Sequence, residues 1–332
     1  MSARSHRQPE ISVVIPTRNR PLDLARLLDT LVTQSRLPDE VIVVDASDAP
    51  APNAAALRRL RPISARILRT SPGLCAQRNL GIRTAHGEFI LLADDDIEFP
   101  PAYIETLAEY LSAHPGEGAV SGTLEESGTD GTIVPDTAPL TRRHIVWRFL
   151  FQQTVWGDIS GLERDRWLRP LHRFYRLRGN TLSVAGWPLL TDARGPSFRT
   201  SVYGLGSAMV RRSWLLASPF DESLHSSGIG DNFGVAMGFP GTLPIVVLTS
   251  IRAKHHRSRS HRITADQSFV LRVLALEHFM RRNDRFSMIN RLALRWSVGG
   301  NILAHAFAGN IRGTRGALKA LFKLFWQPPA VM

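Results

Sequence analysis

Three consecutive aspartates, Asp94, Asp95 and Asp96, follow directly on the apolar run FILLA at 89–93. Adjacent carboxylates repel one another and push a pKa up. A hard divalent cation such as Mg2+ or Mn2+ relieves that repulsion and brings a phosphate ligand with it. The bland alternative is an acidic turn facing water; the apolar run immediately before it favours the cation. Two more polar groups close apolar runs in the same way. Thr17-Arg18-Asn19 follows ISVVIP, and Asp45-Ala46-Ser47-Asp48 follows VIVV.

The elements that must position these groups are legible from periodicity. Runs at 11–15, 41–44, 66–69 and 89–93 read as strands. A helix follows Pro21, with Leu24, Leu27, Leu28 and Leu31 on one stripe; others are expected over 53–61, over 74–85, and from Pro100-Pro101 to about 113. Strands alternating with helices predict a parallel α/β sheet, and uninterrupted apolar strands predict helices on both its faces. Ligands of such sheets bind beyond the carboxyl ends of the strands, where all three polar groups fall. After residue 120 the rhythm breaks. A loop is expected at 121–140, a basic amphipathic helical stretch at 141–178, an irregular loop at 183–200 and strands at 202–210 and 245–248. From Thr264 the chain reads as helical almost to Pro328, interrupted near Gly299-Gly300 and Gly309.

The 332 residues carry 41 Lys+Arg against 29 Asp+Glu, a net +12. An apolar fraction of 43% supports a packed core. One cysteine, Cys75, excludes an internal disulfide framework and reads as a buried small residue. The basic N-terminus lacks the apolar run of a secretory signal, and no apolar window is long enough to predict a membrane span. The charge is uneven: residues 281–332 hold nine Lys/Arg and one acid, Asp284. There, Leu318, Leu321, Phe322 and Phe325 share a helical face beside Lys319 and Lys323, which predicts docking on an anionic membrane. Packing of that face on the catalytic domain, or homo-oligomerisation, is the competing account.

No GxGxxG or GxxxxGK[ST] follows the first strand, which argues against a dinucleotide-dependent dehydrogenase and a P-loop NTPase. ISVVIPTRNRPLDLARLLDTL, VIVVDASD and AQRNLGIRTAHGEFILLADDDIEFPPAYIETL, followed later by GSAMVRRSWLLASPFDESLHSSGIGDNFGVAMGF, together resemble a family 2 inverting glycosyltransferase with a GT-A fold. The resemblance implies a Rossmann-like mixed sheet flanked by helices, here with a helical C-terminal extension. It divides the chain into a nucleotide-sugar-binding half (1–120), an acceptor-binding half (121–262) and a basic helical region (263–332). It implies that Pro16, Thr17 and Arg18 line the nucleotide pocket, that Asp45 hydrogen-bonds the nucleobase beside Asp48, and that Arg78 reaches the nucleotide. Asp94, Asp95 and Asp96 match the family's Asp-x-Asp motif for ribose and metal, with Asp96 the direct ligand to Mn2+ or Mg2+. His255 or His256 stands where a further metal ligand is supplied. Asp231 stands at the catalytic base, although Gly230 replaces the family's preceding glutamate; Asp221 and Glu222 are the fallback, with turn formation as their plainer role.

The implied reaction moves a sugar from a UDP-, dTDP- or GDP-linked donor to a hydroxyl of a saccharide or lipid-linked saccharide, in polysaccharide or cell-wall synthesis. The implied setting is cytoplasmic, on the inner face of the cell membrane. A nucleotidyltransferase is the nearest rival, but PTRNRP lacks the glycine-rich loop it wants. A nucleic-acid-binding protein is the other, and no nucleic-acid partner is expected because no such binding motif appears.

Overall fold

The computed structural model describes residues 8–49, 51–126, 140–157, 159–256 and 263–326. In chain order, β1 (Ile11–Thr17), α1 (Pro21–Leu31), β2 (Glu40–Asp45), α2 (Ala51–Ala56), β3 (Ser64–Arg69) and α3 (Leu74–Thr84) come first. They lead to β4 (Phe89–Leu92), β5 (Ile97–Glu98), α4 (Tyr103–Ala113) and β6 (Ala119–Glu126). Next are α5 (Arg142–Leu150), β7 (Val155–Trp156), α6 (Arg169–Arg178), β8 (Leu189–Leu190) and β9 (Ser197–Thr200). The chain ends with β10 (Ala208–Arg211), α7 (Arg212–Ala217), α8 (Asp231–Gly238), β11 (Ile245–His255), α9 (Ala265–Arg282), α10 (Met288–Phe307) and α11 (Ile311–Trp326).

These elements form two compact units, each built from separated pieces of chain. One comprises Met1–Thr132, Gly204–Pro219 and Val246–Ser260; the other comprises Ile133–Tyr203, Phe220–Ile245 and His261–Met332. The first unit holds a mixed sheet in the order β3-β2-β1-β4-β10-β6-β11-β5. β1 runs parallel to both β2 and β4, whereas β10 is antiparallel to β4 and β6. The leucine stripe of α1 packs with inward residues of β1, β2 and β4 in one apolar core. Because the chain moves outward from β1 through β2 and β3 and then returns to place β4 on the other side, its direction reverses at β1. The crevice beyond β1 and β4 is where such a sheet takes a ligand.

In the second unit Ile145, Val155, Ile159, Leu162, Leu168, Tyr175 and Leu189 form a separate core. α9 and α10 each open with a capping box, Thr264 with Gln267 and Ser287 with Asn290, in which side chains satisfy two of the orphan amides of each first turn. α11 turns Gly316, Ala317, Ala320 and Leu324 inward.

The expected mixed sheet, flanking helices and helical C-terminal region are all present, but several local expectations are corrected. β6 extends to Glu126 where a loop was expected from residue 121, because its start pairs with β10 (Val120 opposite Met209) and tertiary pairing overrides composition; 127–139 lie outside the described residues. The helical stretch at 141–178 is broken into α5 and α6, with Gln152 in the left-handed region (φ 49°) turning the chain after α5. Only Ala208–Arg211 of the expected strand at 202–210 is extended, and β11 carries on to His255, well past residue 248. The region 183–200 contains the short strands β8 and β9. The C-terminal helices break at Asn283–Ser287 and near Gly309, while Gly299-Gly300 lies within α10. At Gly300 a side chain is excluded because a Cβ would sit 2.2 Å from the Phe151 ring, so that glycine serves close packing rather than a break. Pro328 and residues 257–262 lie outside the described residues. Among the described residues no helix is long and apolar enough to cross a membrane.

Candidate active site

In the first unit, the parallel neighbours β1 and β4 deliver Thr17 and the three aspartates to one sheet edge. Thr17 Oγ1 donates to Asp95 Oδ2 at 2.8 Å, and Arg20 Nη1 donates to Asp95 Oδ1 at 3.0 Å. The same guanidinium lies 3.9 Å from Asp96 Oδ2. Burial pushes the Asp95 carboxyl up to about 7, the neighbouring Asp96 adds to the rise, and Arg20 and Thr17 oppose it. Arg78, buried on α3, pairs with the Asp94 carboxylate. The Asp94 amide donates to the Gly206 carbonyl at 2.8 Å, and a Cβ on Gly206 would lie only 2.1 Å from Asp94 Oδ2. Gly206 therefore leaves the space that this carboxylate occupies.

The two histidines part company. β11 pairs antiparallel with β5, setting His255 opposite Ile97, and His255 Nε2 reaches within 3.2 Å of Asp96 Oδ1. His256 donates its backbone amide to the Asp96 carbonyl at 2.9 Å, while its ring Nε2 lies 2.7 Å from Glu98 Oε2. Among the described residues no three His, Cys, Asp or Glu side chains converge on one cation position. Asp96 and His255 form a pair of one carboxylate and one imidazole, a donor set suited to Mn2+ if phosphate oxygens and water complete the shell.

The end of β2 forms the other wall. Asp45 is fully buried, and its Oδ1 accepts from the Ser47 amide at 2.8 Å and from Asn53 Nδ2 at 3.1 Å. Its Oδ2, and Oδ1 of Asn53, are buried without a hydrogen-bond partner. Buried acceptors left open in this way are costly unless a ligand donates to them. Asn19, in the left-handed region at φ 56°, clasps the loop after β2: its Nδ2 donates to Asp48 Oδ2 at 2.8 Å, and the Asp48 amide donates back to its Oδ1 at 2.9 Å. Gln77 Nε2 donates to the carbonyls of both Thr17 and Val44, each at 2.9 Å, tying the ends of β1 and β2 together. Pro16 is buried within β1, and Arg18 is exposed, 3.7 Å from Asp48.

Sequence reasoning missed Arg20, Gln77, Asn53 and Gly206. Arg20 lies two residues beyond the arginine that was singled out, and only the turn geometry decides which of them faces the carboxylates. A glutamine or asparagine buried on a helix carries no sequence signal of its own.

Asp231 belongs to the second unit. It is buried at the first position of α8, preceded by Gly230 in the left-handed region at φ 95°. The Asn232 amide donates to its Oδ1 at 2.6 Å. Asp221 has different company: Ser223 donates its amide (2.9 Å) and hydroxyl (2.6 Å) to Oδ1, while His278 Nε2 and Arg282 Nη1 meet Oδ2 at 2.7 and 3.0 Å. Burial raises this carboxyl, but the bonds from Ser223 and His278 outweigh it and hold the group down at about 2. So weak a base, tied into a turn, is a structural anchor.

The chain is similar to several known glycosyltransferases. Residues 12–171 match the model of Glycosyl transferase family 2. An uncharacterized glycosyltransferase, YwdF of Bacillus subtilis, is 40% identical over 147 residues, which are 44% of this chain and 51% of that protein. An uncharacterized glycosyltransferase of Haemophilus influenzae is 29% identical over 107 residues, 32% of this chain and 35% of that protein. The matched region thus spans about half, or less, of these relatives' length. Residues 1–349 of S. aureus TarS superpose with a TM-score of 0.55 at 16% identity, covering 95% of this chain and 80% of that one; the fragment has also been solved with UDP-GlcNAc. The mannosyltransferase PcManGT of Pyrobaculum calidifontis, solved with GDP-Man and Mn2+, superposes with a TM-score of 0.54 at 18% identity, covering 97% and 88%. Residues 12–171 thus resemble family 2 glycosyltransferases, and the fold of the chain is of the GT-A type.

Proposed function

We propose that this chain transfers a hexosyl residue, with inversion, from a nucleotide-sugar donor to a hydroxyl of a saccharide or lipid-linked saccharide, using Mn2+ or Mg2+. The observation that carries the reading is the pair of walls at one sheet edge. Asp45 offers a buried open acceptor on one side, and Asp94, Asp95 and Asp96 gather with Thr17, Arg20 and Arg78 on the other.

Asp45 accepts from the nucleobase, with Pro16, Thr17, Arg18 and Asp48 bordering that pocket. Asp94 and Asp95 meet the ribose and phosphates. Arg78 and Arg20 are the nearby cations, and they offset negative charge as the diphosphate leaves. Asp96 and His255 hold the metal, which acts as a Lewis acid on the diphosphate when bound. His256, paired with Glu98, positions the strand end from behind. Asp231 takes the proton from the acceptor hydroxyl as its oxygen attacks the anomeric carbon. A single base with a single displacement inverts the configuration.

UDP-, dTDP- and GDP-linked sugars are the donors to screen. A lipid-linked acceptor in polysaccharide or cell-wall synthesis sets the work at the cytoplasmic face of the cell membrane. Thermal stabilisation by sugar nucleotides, with and without Mn2+, tests the reading, since a ligand of the native state raises its melting temperature. A cation-dependent rise with one nucleotide class is expected. No rise with any sugar nucleotide at millimolar concentration would overturn the proposal.

A further inference from the structure

The second unit carries an apolar surface that its own core leaves uncovered. Along α10, Met288, Ile289, Leu292, Trp296, Leu303 and Phe307 are exposed and share one side of the helix, while Leu294, Ser297, Val298 and Gly300 turn inward. At about 1.5 Å per residue this stripe is about 30 Å long. On α11, Ile311, Leu318, Phe322, Phe325 and Trp326 point outward, opposite the buried Gly316, Ala317, Ala320 and Leu324. Leu321, expected on this face, is half-buried at its margin, and Trp326 takes its place. Phe322 and Trp326 stack at 6.1 Å between centroids, with 60% and 73% of their surfaces open. Between the two helices, Arg295 of α10 lies 5.5 Å over the Phe325 ring. On its other side the α10 stripe continues to α5, where Trp296 donates to the Leu150 carbonyl at 2.8 Å and stacks on Phe151.

A row of positive charge borders this surface. Arg312 and Lys319 are exposed along one edge of the α11 face, Lys323 follows them, and Arg315 stands within it. Residues 281–332 hold nine Lys/Arg against the single acid Asp284. A symmetric contact between two copies would bring these like charges together. A negatively charged bilayer neutralises them and takes the apolar side chains into its headgroup boundary.

We propose that the outward faces of α10 and α11 form a docking surface for an anionic lipid bilayer, lying in the headgroup plane without crossing it. The proposal deepens the catalytic reading, since it names the surface that would bring the enzyme to a lipid-linked acceptor. Its test needs neither donor nor turnover, so the two can fail separately.

The test is flotation of the full chain with vesicles of phosphatidylcholine containing about one third phosphatidylglycerol, and with pure phosphatidylcholine. The full chain should float with the anionic vesicles at low salt, weakly or not at all with the neutral ones, and should be released at high salt. Each basic side chain near such a surface is worth about five-fold in partitioning, so K319Q/K323Q should bind about 25-fold more weakly. Phe322→Ser/Trp326→Ser should lose flotation while melting like the parent, since both residues are exposed; if that pair misfolds, the lysine pair still decides. Three results would overturn the proposal: full-length protein remaining soluble beside anionic vesicles at low salt, equal flotation with neutral vesicles, or a dimer in light scattering that Phe322→Ser/Trp326→Ser dissociates without any flotation by the parent.

Discussion

Asp45→Asn separates binding from folding. The new side chain has the same shape, and its one remaining oxygen can still accept from the Ser47 amide and Asn53 Nδ2, as Oδ1 of Asp45 does now. What changes is the other position. A buried carboxylate oxygen without a partner becomes an amide that donates. In the absence of ligand, the variant exchanges a buried open acceptor for a buried open donor, each of which costs about 1–3 kcal/mol. The free protein should therefore stay within about 1 kcal/mol of the parent's stability. With a nucleotide whose base offers an N–H at this point, a donor now faces a donor. A hydrogen bond to a charged group is worth about 1.5–3 kcal/mol, so the dissociation constant should rise roughly 10- to 150-fold. Differential scanning fluorimetry of the free protein and calorimetric titration with UDP, dTDP and GDP in Mn2+ measure both quantities. An unchanged affinity for every nucleotide would refute the base-binding reading. If stability and affinity fell together, Oδ2 would have a structural partner and the open-acceptor argument would be wrong.

Further outcomes follow from the same geometry. Asp96→Ala should abolish the Mn2+-dependent part of nucleotide binding while leaving the fold intact, read as the loss of the cation-dependent melting shift. Asp231→Asn should keep donor affinity and lower turnover by about 10²–10⁴, the usual worth of a general base; near-normal turnover would move the base elsewhere. Asp221 is held at about 2 against a reference of 3.8, so its charged form stabilises the fold above the reference value and that contribution fades as pH falls from about 4 to 2. For this partly buried group, with solvent screening allowed for, that contribution is on the order of 1–2 kcal/mol. The stability gap between the parent and Asp221→Asn in urea titrations should be of that size near neutrality and close steadily below pH 4; a gap independent of pH would show that the anchor is not electrostatic.

The fold's first half was legible because each buried strand is an unbroken apolar run and each helix carries its own stripe. Residues there meet neighbours close in sequence, so local pattern and final structure agree. The acidic cluster was legible for the same reason, since Asp94 follows directly where the FILLA run stops. The second half answers to partners far away. β6 is a strand because β10 pairs with it, and Gly300 lies inside α10 where Phe151 packs against it. Arg20 and Gln77 act through the turns that aim them, and no count of residue types distinguishes an arginine facing carboxylates from Arg18 facing water. The pair His255-His256 was visible as a pair, but the division of labour between Asp96 and Glu98 depends on the register of β11 against β5.

The interleaving of the two units bears on how the chain can be made and cut. β4 is complete by residue 92 and β6 by residue 126, yet the strand between them in the sheet, β10, begins only at Ala208. During synthesis the facing edges of β4 and β6 must wait while much of the second unit is translated, and unfilled strand edges are the surfaces on which nascent chains aggregate. Pairing Leu91 with Met209 closes a long loop and makes that step slow relative to the local β1–β2 pairing. A C-terminal truncation before residue 208 would therefore yield not a smaller nucleotide-binding domain but a sheet with a missing middle, and expression trials should keep both β10 and β11.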